Sequence, residues 1–358
     1  MFKYFRGALW VTVIGLTLAG VIGGSAGLWA AFNLALLETS LSFDNAVVNA
    51  SILRHWDPVW RKRFLIWGML IAVFGMRVLF PLVIVAVIAH APPLPGPMSL
   101  WDWYQSGEWP AHDVLSMAIV APQRYADTLQ SAHIEVMAFG GTFLLQVFWH
   151  FFLNQNKESH WLRPIERAMQ KLGRLEMAGA VMTLLGLLVL ADTLPDAEGF
   201  RLLIAGVWGL IAYIVVNGLS ALMGQEGDTV QMGWAGFLYL EVLDASFSFD
   251  GVLGAFALTR NIFLIAIGLG IGAMFVRSFT LMLVEKGTLS ELRYLEHGAF
   301  WAIGALATIM LLAPVVEVPD AATGGIAAIL IVLAAAHSWQ ANRSDRRRGI
   351  GPTGGDGA

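Results

Sequence analysis

The sequence predicts an all-α, polytopic membrane protein of about ten transmembrane helices, arranged as two inverted five-helix repeats. Three observations predict it. The 358 residues are 57% hydrophobic and only 13% charged, with a mean hydropathy of +0.66. A soluble domain carries about twice that share of charge, so the excess apolar surface has to face lipid. The apolar residues also gather into runs of about 20, the length that crosses a bilayer. Finally, a nine-residue motif containing two acids occurs twice, in runs that cross in opposite directions.

The runs are taken in order. Span 8–25 follows Lys3 and Arg6. A signal-peptide reading of this segment is set aside, because cleavage would remove a helix that the repeat requires. Spans 28–53 and 64–90 come next, then a long outer segment, 91–132, rich in Pro and Trp, for which a lid and a plain surface excursion both stay open. Spans 133–154 and 174–193 complete the first repeat, residues 1–193. Spans 201–223, 232–258, 262–284, 295–314 and 322–340 make the second, residues 194–341. Residues 342–358 are basic through Arg343, Arg346, Arg347 and Arg348, then Gly-rich, a composition that predicts disorder.

Basic residues set the orientation. With the N-terminus in the cytoplasm, the inner segments hold 17 Lys and Arg, while the outer ones hold only Arg124, Arg201 and Arg260. The outer loops are instead acidic. A miscounted span would scramble this sorting, so both termini are predicted to be cytoplasmic.

The two motifs match position by position. Leu37-Glu38-Thr39-Ser40-Leu41-Ser42-Phe43-Asp44-Asn45 lies in span 2, and Leu243-Asp244-Ala245-Ser246-Phe247-Ser248-Phe249-Asp250-Gly251 lies in span 7. Gly68 to Arg77 in span 3 echoes Gly268 to Arg277 in span 8. Ile134-Glu135 at the head of span 4 echoes Leu295-Glu296 at the head of span 9. Five spans per half is an odd number, so the second half is inserted upside down, the design of many secondary transporters, whose sites lie between repeats near the midplane.

Glu38, Asp44, Glu241, Asp244 and Asp250 therefore sit within apolar spans. An acid at a helix centre costs about 2.5–3.5 kcal/mol on insertion scales and commonly marks an ion pathway or proton relay. Residues six apart are rotated by roughly 120° and separated by about 9 Å along a helix, so Glu38 and Asp44 cannot share one straight face. Either the acids form successive stations, or the helices unwind near Asp44-Asn45 and Asp250-Gly251, where Asn, Asp and Gly tolerate a break. The chain has no cysteine, so a bound metal would take oxygen or imidazole ligands. Carboxylates suit hard ions such as manganese, magnesium or calcium, with Ser42, Ser248, Asn45 and Asn49 as neutral donors. Arg77 and Arg277 cannot neutralise five acids. Their expected role is to orient the carboxylates or replace the ion in its absence, against the plainer reading of a buried ion pair that fixes packing.

Weaker signals have plainer readings. Glu135 with His133, Glu296 with His297, and Glu176 fall at helix starts, where a carboxylate is favourable. His150 is read as interfacial. Gly268, Gly270 and Gly272 permit close helix approach. No phosphate loop, nucleophile triad or His-rich zinc motif is present, so neither an enzyme nor a nucleic-acid partner is expected.

The pair Glu-x5-Asp-Asn and Glu-x2-Asp-x5-Asp within apolar spans resembles the TerC family of bacterial membrane proteins, linked by name to tellurium resistance. Within it the chain looks like a branch labelled as a domain of unknown function, and the resemblance covers roughly spans 2 to 9. The second motif departs in having Gly251 where the first has Asn45. The resemblance implies manganese export, a relation to lysine-exporter-like carriers, and functional acids at Glu38, Asp44, Glu241, Asp244 and Asp250. The expectation is thus a proton-exchanging exporter of a divalent cation, manganese foremost, in the bacterial inner membrane. It would hold no tight cofactor, take the metal ion as substrate, lie in the lipid bilayer and be compatible with a homo-oligomer. An exporter of an organic solute such as an amino acid, or a membrane scaffold, are the rivals.

Overall fold

Forty residues of apolar helix are twice what a bilayer needs, and the first segment, α1 (Phe2–Leu41), is that long in the computed structural model. It is not one rod. Gly24 adopts φ 62°, ψ −152°, a region open essentially to glycine alone. Beyond it the chain doubles back, so that a Cβ on Gly27 would lie 2.6 Å from the carbonyl oxygen of Ala19. The structure describes residues 2–94 apart from Met69, then 113–157, 159–222, 233–287, 292–316 and 318–347. The side chains of Ala72, 219–222, 248–250, Leu253, Ala257, 320–324 and 344–347 also fall outside the description.

A second interruption follows at Ser42, between α1 and α2 (Phe43–Leu53). Asp57 caps α3 (Pro58–Arg63), its carboxylate accepting from the amides of Val59 and Trp60. The chain continues through two π-helical stretches, Phe64–Gly68 and Ile71–Leu79, into α4 (Phe80–Ala89). Then come α5 (Val114–Val120), α6 (Pro122–Gln130), α7 (His133–Leu153), α8 (Arg163–Leu172), α9 (Ala178–Asp192) and α10 (Asp196–Leu222). The last four are α11 (Gly233–Leu258), α12 (Ile262–Glu285), α13 (Leu295–Leu312) and α14 (Asp320–Arg347). No strand occurs among the described residues.

Among the described residues, seven helical runs are long and apolar enough to cross a membrane: α1, Pro58–Ala89, α7, most of α10, α12, α13 and the apolar part of α14. α9 is apolar but has 15 residues, and α11 has 26 but carries three acids in its sequence. Large apolar side chains such as Val21, Val87 and Val189 are 69–79% exposed. A surface of this kind is stable only against lipid, and the chain is a membrane protein.

The main core forms where α7, α11 and α13 meet, around Phe143, Phe152, Leu240 and Ile303. A second cluster joins Leu34, Leu82, Val252 and Leu269 to Met117, Tyr125 and Leu129 of α5 and α6. Within segment 91–132, residues 113–130 are therefore packed into the bundle. Residues 95–112 lie outside the described residues.

The two motif helices differ in the break that the sequence left open. The first is interrupted two residues before Asp44, at Ser42 (φ −97°, ψ 17°). The second, α11, is unbroken from Gly233 to Leu258, through Asp250-Gly251. Gly251 has a second use, because a Cβ there would stand 3.0 Å from Glu38 Oε2.

The small residues of α12 let it pack against α1. A Cβ at Gly268 would fall 2.5 Å from Leu34 Cβ and 2.9 Å from the Ala31 carbonyl oxygen. At Gly272 it would fall 2.5 Å from Glu38 Cβ and Cγ, whereas at Gly270 it would meet only Val73 at 3.3 Å. Overpacking of this kind costs about 1–3 kcal/mol. Gly268→Leu should therefore lower the melting temperature of the detergent-purified protein by several degrees, and Gly270→Ala should leave it within about a degree. Equal effects of the two substitutions would contradict this packing.

Candidate cation site

The end of α1, the Ser42 turn and α2 deliver Glu38, Ser42, Asn45 and Asn49 to one place. Glu38 is 1% exposed and its stem lies against Gly272. Arg77, near the end of the second π-helical stretch, donates from Nη2 to Glu38 Oε1 as a buried ion pair. Ser42 Oγ donates to the same oxygen at 2.9 Å. From α11, Asp244 accepts at Oδ1 from Asn49 Nδ2 at 2.8 Å. Mid-helix π segments are rare and frequent at functional sites. Here they bring Gly68 and Arg77 to the same wall.

These residues line a cavity of about 50 Å³ together with Gly68, Arg277 and Thr280. By the same measure a water takes roughly 10–15 Å³, so the space suits an ion with a few waters. It is far below the 300 Å³ or more of an organic-ligand pocket. The amide oxygens Asn45 Oδ1 and Asn49 Oδ1 are buried without a hydrogen-bond partner, as is Arg277 Nε. Buried acceptors of this kind cost about 1–3 kcal/mol each and call for an explanation. With Glu38, Asp244 and Ser42 they form an all-oxygen donor set of the type that hard divalent cations take.

Among the described side chains, Asp44 and Glu241 do not line the cavity. Asp44 is 3% exposed and lies in the first turn of α2, where its Oδ1 accepts from the Asn45 amide at 2.9 Å. A carboxylate is favourable at that position for structural reasons alone. Glu241 is buried, both its carboxylate oxygens lack a partner, and its Oε1 lies 2.7 Å from where a Gly68 Cβ would be. It thus sits across Gly68 from the cavity. The side chains of Ser248 and Asp250 lie outside the described residues. Among the described residues no three of His, Asp and Glu gather as a metal-holding group. Among the described residues the cavity is lined by two carboxylates, neutral oxygens and two arginines.

A second polar centre was not anticipated. Glu166 of α8 is 1% exposed. Its carboxylate accepts from the amides of Trp161 (3.1 Å) and Leu162 (3.2 Å), and from Trp301 Nε1 at 3.2 Å. His297 Nδ1 lies 3.0 Å from it and Lys157 Nζ 3.4 Å. His297, read above with Glu296 as part of a helix start, is 2% exposed and also meets Ser159 Oγ at 3.0 Å. The one available signal was a single acid on the inward side of a short basic amphipathic helix. Burial would push the Glu166 carboxyl up, but the hydrogen bond and charge of His297 and the charge of Lys157 hold it down at about 2. Burial lowers the Lys157 ammonium to about 8. Beside this centre opens a vestibule of about 1090 Å³, lined in part by Arg54, His150, Lys157, Tyr213, Glu296 and His297. Glu176 is exposed and lies before α9 begins.

A family model described as "Protein of unknown function (DUF475)" matches residues 43–345. No curated protein matches the chain, and no solved structure does.

Glu166 gives a pH signature. Its carboxyl titrates lower in the folded protein than the ordinary value of 4.5. Its contribution is therefore present above pH 4.5 and is lost as pH falls towards 2. Glu166→Gln should cost about 2–3 kcal/mol at pH 7, and the difference from wild type in thermal melts should shrink progressively below pH 4.5. A difference independent of pH would refute this assignment.

Proposed function

The chain belongs to the DUF475 family, and for it we propose secondary transport: export of a divalent metal cation, manganese first, in exchange for protons. The observation that carries the reading is the cavity at the Ser42 break. The carboxylates of buried Glu38 and half-buried Asp244 share the space with unsatisfied amide oxygens of Asn45 and Asn49, and its volume is that of an ion with a few waters. The motif likeness to the TerC family, stated above, points the same way.

The membrane arrangement proposed with it is ten spans in two inverted halves, with both termini on the cytoplasmic side of a bacterial inner membrane. The Gly24 reversal supports two spans within α1, and the lengths of α10 to α14 support five in the second half. Repeat partners also have similar surroundings. Gly68 lies against Glu241, and Gly268 against Leu34, the neighbour of the position that matches Glu241. In this arrangement the ion displaces Arg77 from Glu38, and Arg77 returns when the ion leaves. The two arginines and two carboxylates lining the cavity balance in charge without an ion, so release leaves no naked charge in a medium where one is costly. Glu241, beside the cavity, is available to the proton branch of the exchange.

One observation favours a rival. The Glu38–Arg77 pair alone would serve as a fixed strut in a membrane scaffold. The organic-solute reading has no such support at the Ser42 break, where the cavity is too small for one.

Reconstitution in liposomes containing a manganese-sensitive dye separates the readings. Wild type should carry manganese in response to a proton gradient. Asp244→Asn and Glu38→Gln should each lower the flux at least tenfold, while Glu176→Gln should leave it unchanged. Wild-type vesicles without flux, or full flux in both cavity variants, would sink the proposal.

A further inference from the structure

Two glutamates that match each other in the repeat, Glu135 and Glu296, each hold an ion pair between the halves. Glu296 at the head of α13 bonds Arg54, just beyond α2, through Nη2 at 2.7 Å. Glu135 at the head of α7 bonds Arg201 of α10 at 2.5 and 2.8 Å, and Arg201 Nη2 also donates to the Ser131 carbonyl at 2.5 Å. In the ten-span arrangement the first pair lies at the cytoplasmic face and the second at the outer face.

The partners are not equivalent. Arg54 stands sixteen residues after Glu38, and Arg260 stands sixteen after Asp244. The repeat thus matches Arg54 to Arg260, not to Arg201. Repeat symmetry would pair Arg260 with Glu135, just as Arg54 is paired with Glu296. Arg260 instead stands exposed in an outer groove that it shares with Arg124, Asp127 and Ser131. Ser131 stands four residues before Glu135, in the turn between α6 and α7. Among the described residues Arg260 has no ion pair or hydrogen bond of its side chain.

In an inverted repeat the two halves can exchange conformations, and the exchange converts one membrane-facing state into the other. We propose that Arg54–Glu296 and Arg260–Glu135 are the inner and outer halves of one alternating gate. In this structure the inner pair is made and the outer one is open. In the opposite state Arg54 releases Glu296, and Glu135 leaves Arg201 for Arg260. Both pairs are partly solvated, with side chains 26–42% exposed in those that are made. Exposed pairs of this kind are weak enough to break on each cycle. The inference rests on the transport reading for its purpose, and its test does not depend on the ion.

The chain has no cysteine, so introduced pairs report without background. Ser131→Cys with Thr259→Cys places reporters beside the outer gate and leaves all five charged residues in place. Oxidative cross-linking of this pair in native membranes should be slow. It should quicken about fivefold when Arg54→Ala or Glu296→Gln is added, the scale expected for losing one exposed pair. The gain should vanish when Arg260→Ala is added as well. Glu296→Gln keeps the shape of the side chain, and a monodisperse purified protein certifies folding of each variant. A cross-linking rate indifferent to both inner-gate substitutions, or a gain that survives Arg260→Ala, would overturn the gate. Cross-links that respond without manganese flux would leave the gate and remove the ion. Flux with unresponsive cross-links would do the reverse.

Discussion

The carboxylates of Glu38 and Asp244 lie at the depth of apolar helices, and much of the surrounding architecture follows from keeping them there. A charge at that depth costs several kcal/mol unless it is paired. The pairing comes from Arg77 and Ser42 on Glu38 and from Asn49 on Asp244. Each partner requires a particular backbone. The π-helical stretch carries Arg77 inward, the Ser42 turn interrupts the helix beside Glu38, and Gly272 leaves room for the glutamate stem. Filling that room or straightening the turn would move a carboxylate away from the groups that make its burial tolerable.

The site is incomplete as a purely structural network. A buried network is favourable when every member is satisfied, and costly when some are not. Asn45 and Asn49 keep carbonyl oxygens without partners at a cavity of a few waters' volume. Glu166, by contrast, receives donors from two amides, an indole, an imidazole and an ammonium group. The comparison within one molecule separates a carboxylate whose network is saturated, between α8 and α13, from carboxylates that share a cavity with unsatisfied oxygens.

Much of this was legible in the sequence because hydropathy and charge are local properties. Run lengths located the apolar helices, and the repeated motif pointed to Glu38 and Asp244, which line the cavity with Ser42, Asn45, Arg77 and Arg277. Which of the acids share one cavity was not legible, since it depends on where each helix bends. Asp44 was drawn into helix capping by a break at Ser42, and α11 did not break at all. The π-helical stretches have no composition signal, and nothing in the run 64–90 announced them. The role of Glu166 was hidden because its partners Trp301 and His297 are more than 130 residues away. The reversal at Gly24 was implied by span counting, and only its backbone angles identify the residue that makes the turn.

The most direct measurement is the position of the ion itself. Crystals of the purified protein grown with manganese and measured at the manganese absorption edge should give an anomalous peak between Glu38 and Asp244. The oxygens of Asn45 and Asn49 should lie within coordination distance, and Arg77 should be withdrawn from Glu38. An empty cavity with the Glu38–Arg77 pair intact at saturating manganese would contradict the account.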